Sequence, residues 1–330
     1  MGGIQMTEAS EFRFGFRTLS RDGERREIVF SPAFTAHISA DPKAATPGEC
    51  FLSHFQFPDE FRQHLKTTGS TKGYAGPTWV EWLIFDIDVE GDIDEALKQA
   101  RQLAAWLVNR FKIEPDDVMI FYSGSKGFHI ALRSLLWDGQ PAVEFHRYAR
   151  QFAEVLAANA EVKIDTGVYA RVNLLRAPNS RHKKTGRFKV QLTFDELQTL
   201  TPDEIFVIAE NPRKGWIPEH TPFSQEAADC WAEACKAVDD DQTATKERKA
   251  AGGKASKLNP TTWAVLTDGS FVGDRHRELF SCAANFGEFG SVEELTYAIW
   301  TPVGLNAGLT ASEVQRQISC GLRHGGRSHE

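Results

Sequence analysis

The spacing of apolar residues changes several times along this chain, and each change marks an element. Residues 11–60 hold short β-like runs at Glu11–Thr18, Glu27–Phe30 and Cys50–Phe57. Turn residues separate them at Arg21-Asp-Gly, Asp41-Pro and Thr46-Pro-Gly. This β-rich section is expected to feed the same sheet as the segments that follow. Tyr74-Ala-Gly-Pro reads as a turn leading into Trp82-Leu-Ile-Phe-Asp86-Ile-Asp88. That apolar run, bounded by a turn and by charge, predicts a buried strand. Asp92 with Glu95 three residues later predicts a helix N-cap and its box partner. From there Ile93, Leu97, Ala100, Leu103, Ala104, Leu107, Val108 and Phe111 recur at helical spacing. The helix has to end before Pro115. Val118–Tyr122 and Phe128–Leu132 read as strands around the loop Ser123–Gly127. Pro141–Ala158 predicts a second amphipathic helix, and Val162–Asp165 a short strand. Arg171–Ala177 and Phe188–Phe194 read as a strand pair around a basic loop, followed by short helices at Asp195–Leu200 and Pro202–Ala209.

These elements make an α+β domain over 1–235, with helices on one face of an antiparallel or mixed sheet. Residues 236–258 carry Asp239-Asp-Asp and Ala250-Ala-Gly-Gly without an apolar period. They read as a linker, or as a polar helix with a flexible end. A small all-α domain is expected over 259–330, with helices at Arg275–Phe286, Val292–Trp300 and Ala311–Leu322. Ser291 with Glu294 and Thr310 with Glu313 look like capping boxes.

Composition narrows the function classes only slightly. Of 330 residues, 25% are charged and 41% hydrophobic, as in ordinary globular chains. No apolar run reaches membrane-spanning length, and the start lacks a signal-peptide pattern, so a cytoplasmic protein without a membrane partner is expected. The five cysteines are scattered and odd in number, which suits a reducing compartment. Cys230, Cys235 and His220 lack the tight paired spacing of a zinc site, so structural zinc is not expected.

The net charge of −7 argues against a protein coated for nucleic acid, but it averages over the whole surface. The span 171–189 departs from that average. Arg171, Arg176, Arg181, Lys183, Lys184, Arg187 and Lys189 put seven positive charges into nineteen residues with no acidic one. Such a patch suits phosphates, whether of a nucleotide or of a nucleic-acid backbone. Asp86 and Asp88, two apart on a strand, point to one face. Carboxylates that close repel unless a cation lies between them, and Mg²⁺ takes such a pair together with substrate phosphates. Asp165, after an apolar stretch, is a candidate third carboxylate. The loop Ser123-Gly-Ser-Lys126-Gly-Phe-His129 offers small residues for backbone approach to an anion, with Ser, Lys and His as donors. Together these features suggest metal-assisted phosphoryl or nucleotidyl transfer.

These residues resemble the archaeo-eukaryotic primase and primase-polymerase superfamily. An apolar run into DxD is matched by Asp86 and Asp88. A Ser…His element, often SGxKGxH, is matched by Ser123, Lys126 and His129. A lone carboxylate is matched by Asp165, followed by Val168-Tyr169, Asn173-Leu-Leu-Arg176, Asn179-Ser180 and Lys184-Thr-Gly. The likeness covers about residues 80–192. Gly273-Asp-Arg275 through Ile318 looks like the small helical (PriCT-like) domain that follows the catalytic module in plasmid and phage members.

The resemblance implies an RRM-like catalytic sheet that synthesises RNA or DNA primers from NTPs or dNTPs on single-stranded DNA, with Mg²⁺ or Mn²⁺. It implies Asp86, Asp88 and Asp165 as catalytic metal ligands. It implies Ser123, Lys126, His129, Arg176 and Lys184 as triphosphate contacts, with Lys183 a substitute for Lys184. Arg171, Arg181, Lys183, Arg187 and Lys189 are expected on nucleic acid. No GxxxxGK[ST] pattern occurs, so unwinding is expected from a separate helicase. Two neighbouring roles share the pattern: an origin-binding replication initiator of the same fold, and a repair polymerase that only extends ends.

Overall fold

The computed structural model describes residues 11–20, 23–250, 258–269, 271 and 275–326. Contacts divide the chain into two units, Met1–Val238 and Asp239–Glu330. The expected turn at Arg21-Asp22 lies outside the described residues, as do 251–257 of the expected linker and Gly273-Asp274 of the C-terminal resemblance.

The fold is α+β. In the first unit β1 (Phe14–Thr18), β2 (Arg26–Val29) and α1 (Phe30–Ile38) precede β3 (Phe51–Ser53) and α2 (Asp59–Thr68). Then come β4 (Trp82–Asp88), α3 (Ile93–Phe111), β5 (Met119–Tyr122), β6 (Gly127–Arg133) and α4 (Phe145–Asn159). Short strands β7 (Leu174–Arg176) and β8 (Val190–Leu192) lead to α5 (Phe194–Thr199), α6 (Pro202–Ile208) and α7 (Gln225–Ala250). The strands form two four-stranded antiparallel sheets, ordered β2-β1-β3-β7 and β4-β6-β5-β8.

Two expectations about pairing are therefore corrected. The N-terminal strands build a sheet of their own and do not join the Asp86–Asp88 strand. β7 and β8 do not pair with each other, because β7 completes the first sheet against β3 and β8 the second against β5. Every residue of β3, β5 and β8 is buried, so no two-residue alternation marks which neighbour each strand takes. The stretch 162–165 is not a strand. Asp165 instead caps a 3₁₀ turn over Thr166–Tyr169, its Oδ1 accepting from the Gly167 N–H at 2.8 Å.

Helix α3 follows its sequence closely. Asp92 accepts from Glu95 N–H at its start, Lys112 ends it in the left-handed region, and Leu97, Ala100, Leu103, Ala104, Leu107 and Phe111 are buried along one stripe. The return half of the expected box is absent, because the Glu95 carboxylate bonds Lys98 and Gln99 instead. Residues 236–250, expected as linker or polar helix, are helical and continue α7, whose Ala227, Trp231 and Ala234 pack into the first core.

The second unit holds α8 (Pro260–Asp268), α9 (Arg275–Glu288), α10 (Glu293–Asn306) and α11 (Ala311–Gly326) around Leu279, Phe286, Trp300, Val314 and Ile318. The Thr310–Glu313 box forms, with Glu313 N–H donating to Thr310 Oγ1 and Thr310 N–H to the Glu313 carboxylate. At α10 the cap position falls on Val292, so Ser291 and Glu294 make no box. Among the described residues no helix is long and apolar enough to cross a membrane.

Strand β4 lies at the edge of its sheet, with β6 on one side only. Its free edge is covered by the segment after α4. The Asp165 N–H donates to the Asp86 carbonyl at 2.8 Å, and the buried Tyr169 hydroxyl donates to the Ile84 carbonyl at 2.7 Å. Removing that hydroxyl with Tyr169→Phe orphans a buried carbonyl. A loss of about 1–3 kcal/mol is expected by urea unfolding, and unchanged stability would show that water replaces the bond.

Candidate catalytic cleft

The side chains singled out in the sequence meet where the two sheets of the first unit come together. The pairing of β4 with β6 sets Asp86 opposite His129 and Asp88 opposite Gly127. Directly paired residues share a face, so carboxylates and histidine emerge together. Gly127 is required by this approach, because a Cβ there would collide with the Asp88 carboxylate and the Ile87 carbonyl. The turn between β5 and β6 is closed by Ser123 N–H donating to the Gly127 carbonyl at 3.0 Å, and by Gly127 N–H donating to Ser123 Oγ at 3.3 Å. The Ser123 hydroxyl accepts that bond and keeps its own proton to donate. The 3₁₀ turn on the β4 edge brings Asp165 to the same place.

The resulting cleft has a volume of about 450 Å³. Asp86, Asp88, Asp165, Ser123, Lys126, His129 and Arg176 line it, so the three separated sequence pieces converge. Arg25, Asn173 and His182 also stand on its wall, and Phe51, Leu174 and Leu175 give an apolar floor; Asn173, Leu174 and Leu175 belong to the run matched to the family, whereas the reading of the sequence missed Arg25, His182 and Phe51. Neither Arg25 nor Phe51 lies within the span of the family likeness. They arrive through the first sheet, whose strands had been expected elsewhere.

The remaining basic residues do not line the cleft. Lys183 and Lys184 are exposed on the turn 182–187, which closes through His182 N–H to the Arg187 carbonyl at 2.7 Å. Arg181 bonds the Gly186 carbonyl within that turn, and Arg187 lies 3.8 Å over the Phe206 ring. Arg171 donates to the Val143 and Tyr74 carbonyls, an internal tie between loops. Lys189, expected on nucleic acid, is only 2% exposed and bonds protein atoms instead. Chain proximity to Arg176 put these residues in one sequence patch, but Lys183 and Lys184 are exposed outside the cleft lining, to which the turn contributes His182.

The electrostatics of the cleft are dominated by Asp86. Burial, with repulsion from Asp88 and Asp165, pushes its carboxyl up to about 8. Its Oδ1 is buried without a hydrogen-bond partner, although His129 Nε2 is 3.3 Å away. That contact is not a charged pair, because burial and the neighbouring Lys189 hold His129 well below its usual value. Lys126 Nζ reaches Asp88 Oδ2 at 3.4 Å. Arg176 is held by Glu49 at 2.8 Å and lies 5.0 Å over the Phe51 ring. Behind His129, Lys189 Nζ contacts its Nδ1 at 2.9 Å and the Arg176 carbonyl at 3.0 Å, and burial lowers the amine to about 7.

An orphaned buried carboxylate oxygen beside two further carboxylates fits a divalent cation. Among the described residues no group of three or more His, Cys, Asp or Glu forms a ready cage. Mg²⁺ does not need one, since it keeps waters and takes one or two carboxylates plus substrate phosphates.

The raised Asp86 value has a sign that can be measured. A folded-state value above the unfolded one favours the fold at low pH, and that contribution is lost as pH rises through the folded value. In chelator, the melting temperature is therefore expected to fall between about pH 4 and about 8. Asp86→Asn should flatten this decline, and Mg²⁺ or Mn²⁺ should restore more stability at pH 8 than at pH 6. Equal slopes for the variant and the wild type would contradict the assignment.

No family model and no curated protein matches the chain. Among solved structures, one described as the crystal structure of primase RepB' aligns over 95% of this chain and 92% of that chain, at 12% identity and a TM-score of 0.34. At that level the alignment adds nothing to what the side chains say.

Proposed function

We propose that the cleft carries out metal-dependent nucleotidyl transfer from nucleoside triphosphates, and that primer synthesis on single-stranded DNA is the activity it fits best. The observation supporting this is the meeting of Asp86, Asp88 and Asp165 with Ser123, Lys126, His129 and Arg176 in one cleft. Carboxylates alone would repel a triphosphate, and basic groups alone would bind it without acting on it. Their combination suits a phosphate substrate that arrives with a divalent cation.

In this reading Asp86, Asp88 and Asp165 hold Mg²⁺ or Mn²⁺, which when bound neutralises charge on the transferred phosphate. Lys126 and Arg176 supply fixed positive charge to the phosphate chain. The Ser123 hydroxyl and the His129 ring donate to phosphate oxygens. Phe51, Leu174 and Leu175 give an apolar surface on which a base or sugar can rest. Duplex unwinding would come from a separate helicase.

The test uses the full chain with single-stranded DNA, NTPs or dNTPs, and each metal, with products resolved by size. Chains started without a primer are expected. Products made only from a supplied 3′ end would favour a repair polymerase, and sequence-specific duplex binding without incorporation would favour an initiator. Asp86→Ala and Asp88→Ala should each lower synthesis by about a thousandfold, and full synthesis by either folded variant would refute the proposal. Lys126→Ala should raise the KM for nucleotide by about tenfold with a smaller change in kcat.

A further inference from the structure

Lys189 is the residue whose place in the core is hardest to explain by packing. Burying an amine is costly, and a lysine there persists only where its hydrogen bonds are used. Its Nζ has two such partners, His129 Nδ1 at 2.9 Å and the Arg176 carbonyl at 3.0 Å. His129 belongs to β6 and Arg176 to β7, so one nitrogen joins the two sheets directly behind the cleft. The Phe121 ring of β5 lies 4.8 Å from Nζ, an aromatic face against the amine. The Lys189 backbone is fixed as well, its N–H donating to the Ser180 carbonyl and its carbonyl accepting from Asn179 N–H.

A neutral imidazole carries one proton, and its neighbours decide on which nitrogen. The amine is a donor toward the Arg176 carbonyl, and it has a second N–H for Nδ1 whether charged or neutral. On the other side of the ring, Nε2 faces the cleft and Asp86 Oδ1.

We propose that Lys189 is a positioning residue for His129: anchored on the Arg176 carbonyl, it donates to Nδ1 and keeps the ring turned so that Nε2–H faces the cleft as a donor to a substrate phosphate. This rests on the phosphate-handling role proposed above and adds a residue that does not touch substrate. The same link fixes the ring against Arg176, so the two cleft groups are set in one geometry.

The experiment separates Lys189 from Asp86, since either could favour a proton on Nε2. Proteins labelled with ¹⁵N at histidine are compared by NMR as wild type, Asp86→Ala, and Asp86→Ala with Lys189→Met. Methionine keeps the length and most of the volume of lysine while removing the donor, and circular dichroism with thermal melting checks folding. Wild type and Asp86→Ala should both show the Nε2–H tautomer, and the double variant should show a mixture. A tautomer that disappears with Asp86 alone, or that survives in the double variant, overturns the proposal. In the wild-type background Lys189→Met should weaken binding of an Mg²⁺-bound nucleoside triphosphate by about tenfold, and unchanged affinity would also overturn it. Should wild type bind no triphosphate, the nucleotidyl-transfer reading fails, while the tautomer measurements still decide whether Lys189 sets the ring.

Discussion

Strand β4 has a partner on one side only. The carbonyls of Ile84 and Asp86 point from its free edge into the protein, where unpaired backbone groups are costly. Tyr169 and the Asp165 N–H satisfy them. That repair determines the cleft. Having bonded to Asp86, the chain at 165 is held beside the two carboxylates of the strand, and its own carboxylate caps the turn that follows. The segment then continues to the first sheet, where the Val168 carbonyl meets His54 Nδ1 at 3.0 Å and the Asn173 carbonyl accepts from His54 N–H. A buried edge thus brings the third carboxylate, the first sheet and the apolar floor to one place.

The charges in the cleft follow from that arrangement. Asp86 is the most buried of the three carboxylates, and burial, with repulsion from Asp88 and Asp165, raises its carboxyl. The groups that could relieve it do so weakly. His129 is held neutral, Lys126 reaches Asp88, and Lys189 stands one ring behind. The protein alone leaves Asp86 Oδ1 without a partner, an arrangement that suits the divalent cation proposed above.

The local elements were legible in the sequence wherever one periodicity ran long. Helix α3 showed its cap, its stripe and its end, and β4 showed its apolar run and terminal aspartates. The constellation of Asp86, Asp88, Ser123, Lys126 and His129 could also be read, because its members sit in two local patterns, the terminal aspartates of β4 and the short turn that joins β5 to β6. Long-range pairing could not be read. Strands of three residues are too short to carry a signal of their neighbour, so β3, β7 and β8 were misassigned and Phe51 and Arg25 went unnoticed. The basic span misled for a related reason. Linear charge density says nothing about direction, and Lys189 turns inward while Lys184 turns out.

The hydroxyl of Thr185 donates to the Gly124 carbonyl at 2.5 Å, joining the basic turn to the Ser123–Gly127 turn across the mouth of the cleft. Gly124 sits at φ +88, and the carbonyl of Arg187 would lie 3.2 Å from any Cβ placed there. The two turns, more than fifty residues apart in the chain, therefore share one rim and cannot vary independently. An insertion or deletion in either would have to be matched by a change in the other. In diverging copies of this gene, the lengths of these two turns should be inherited as a pair.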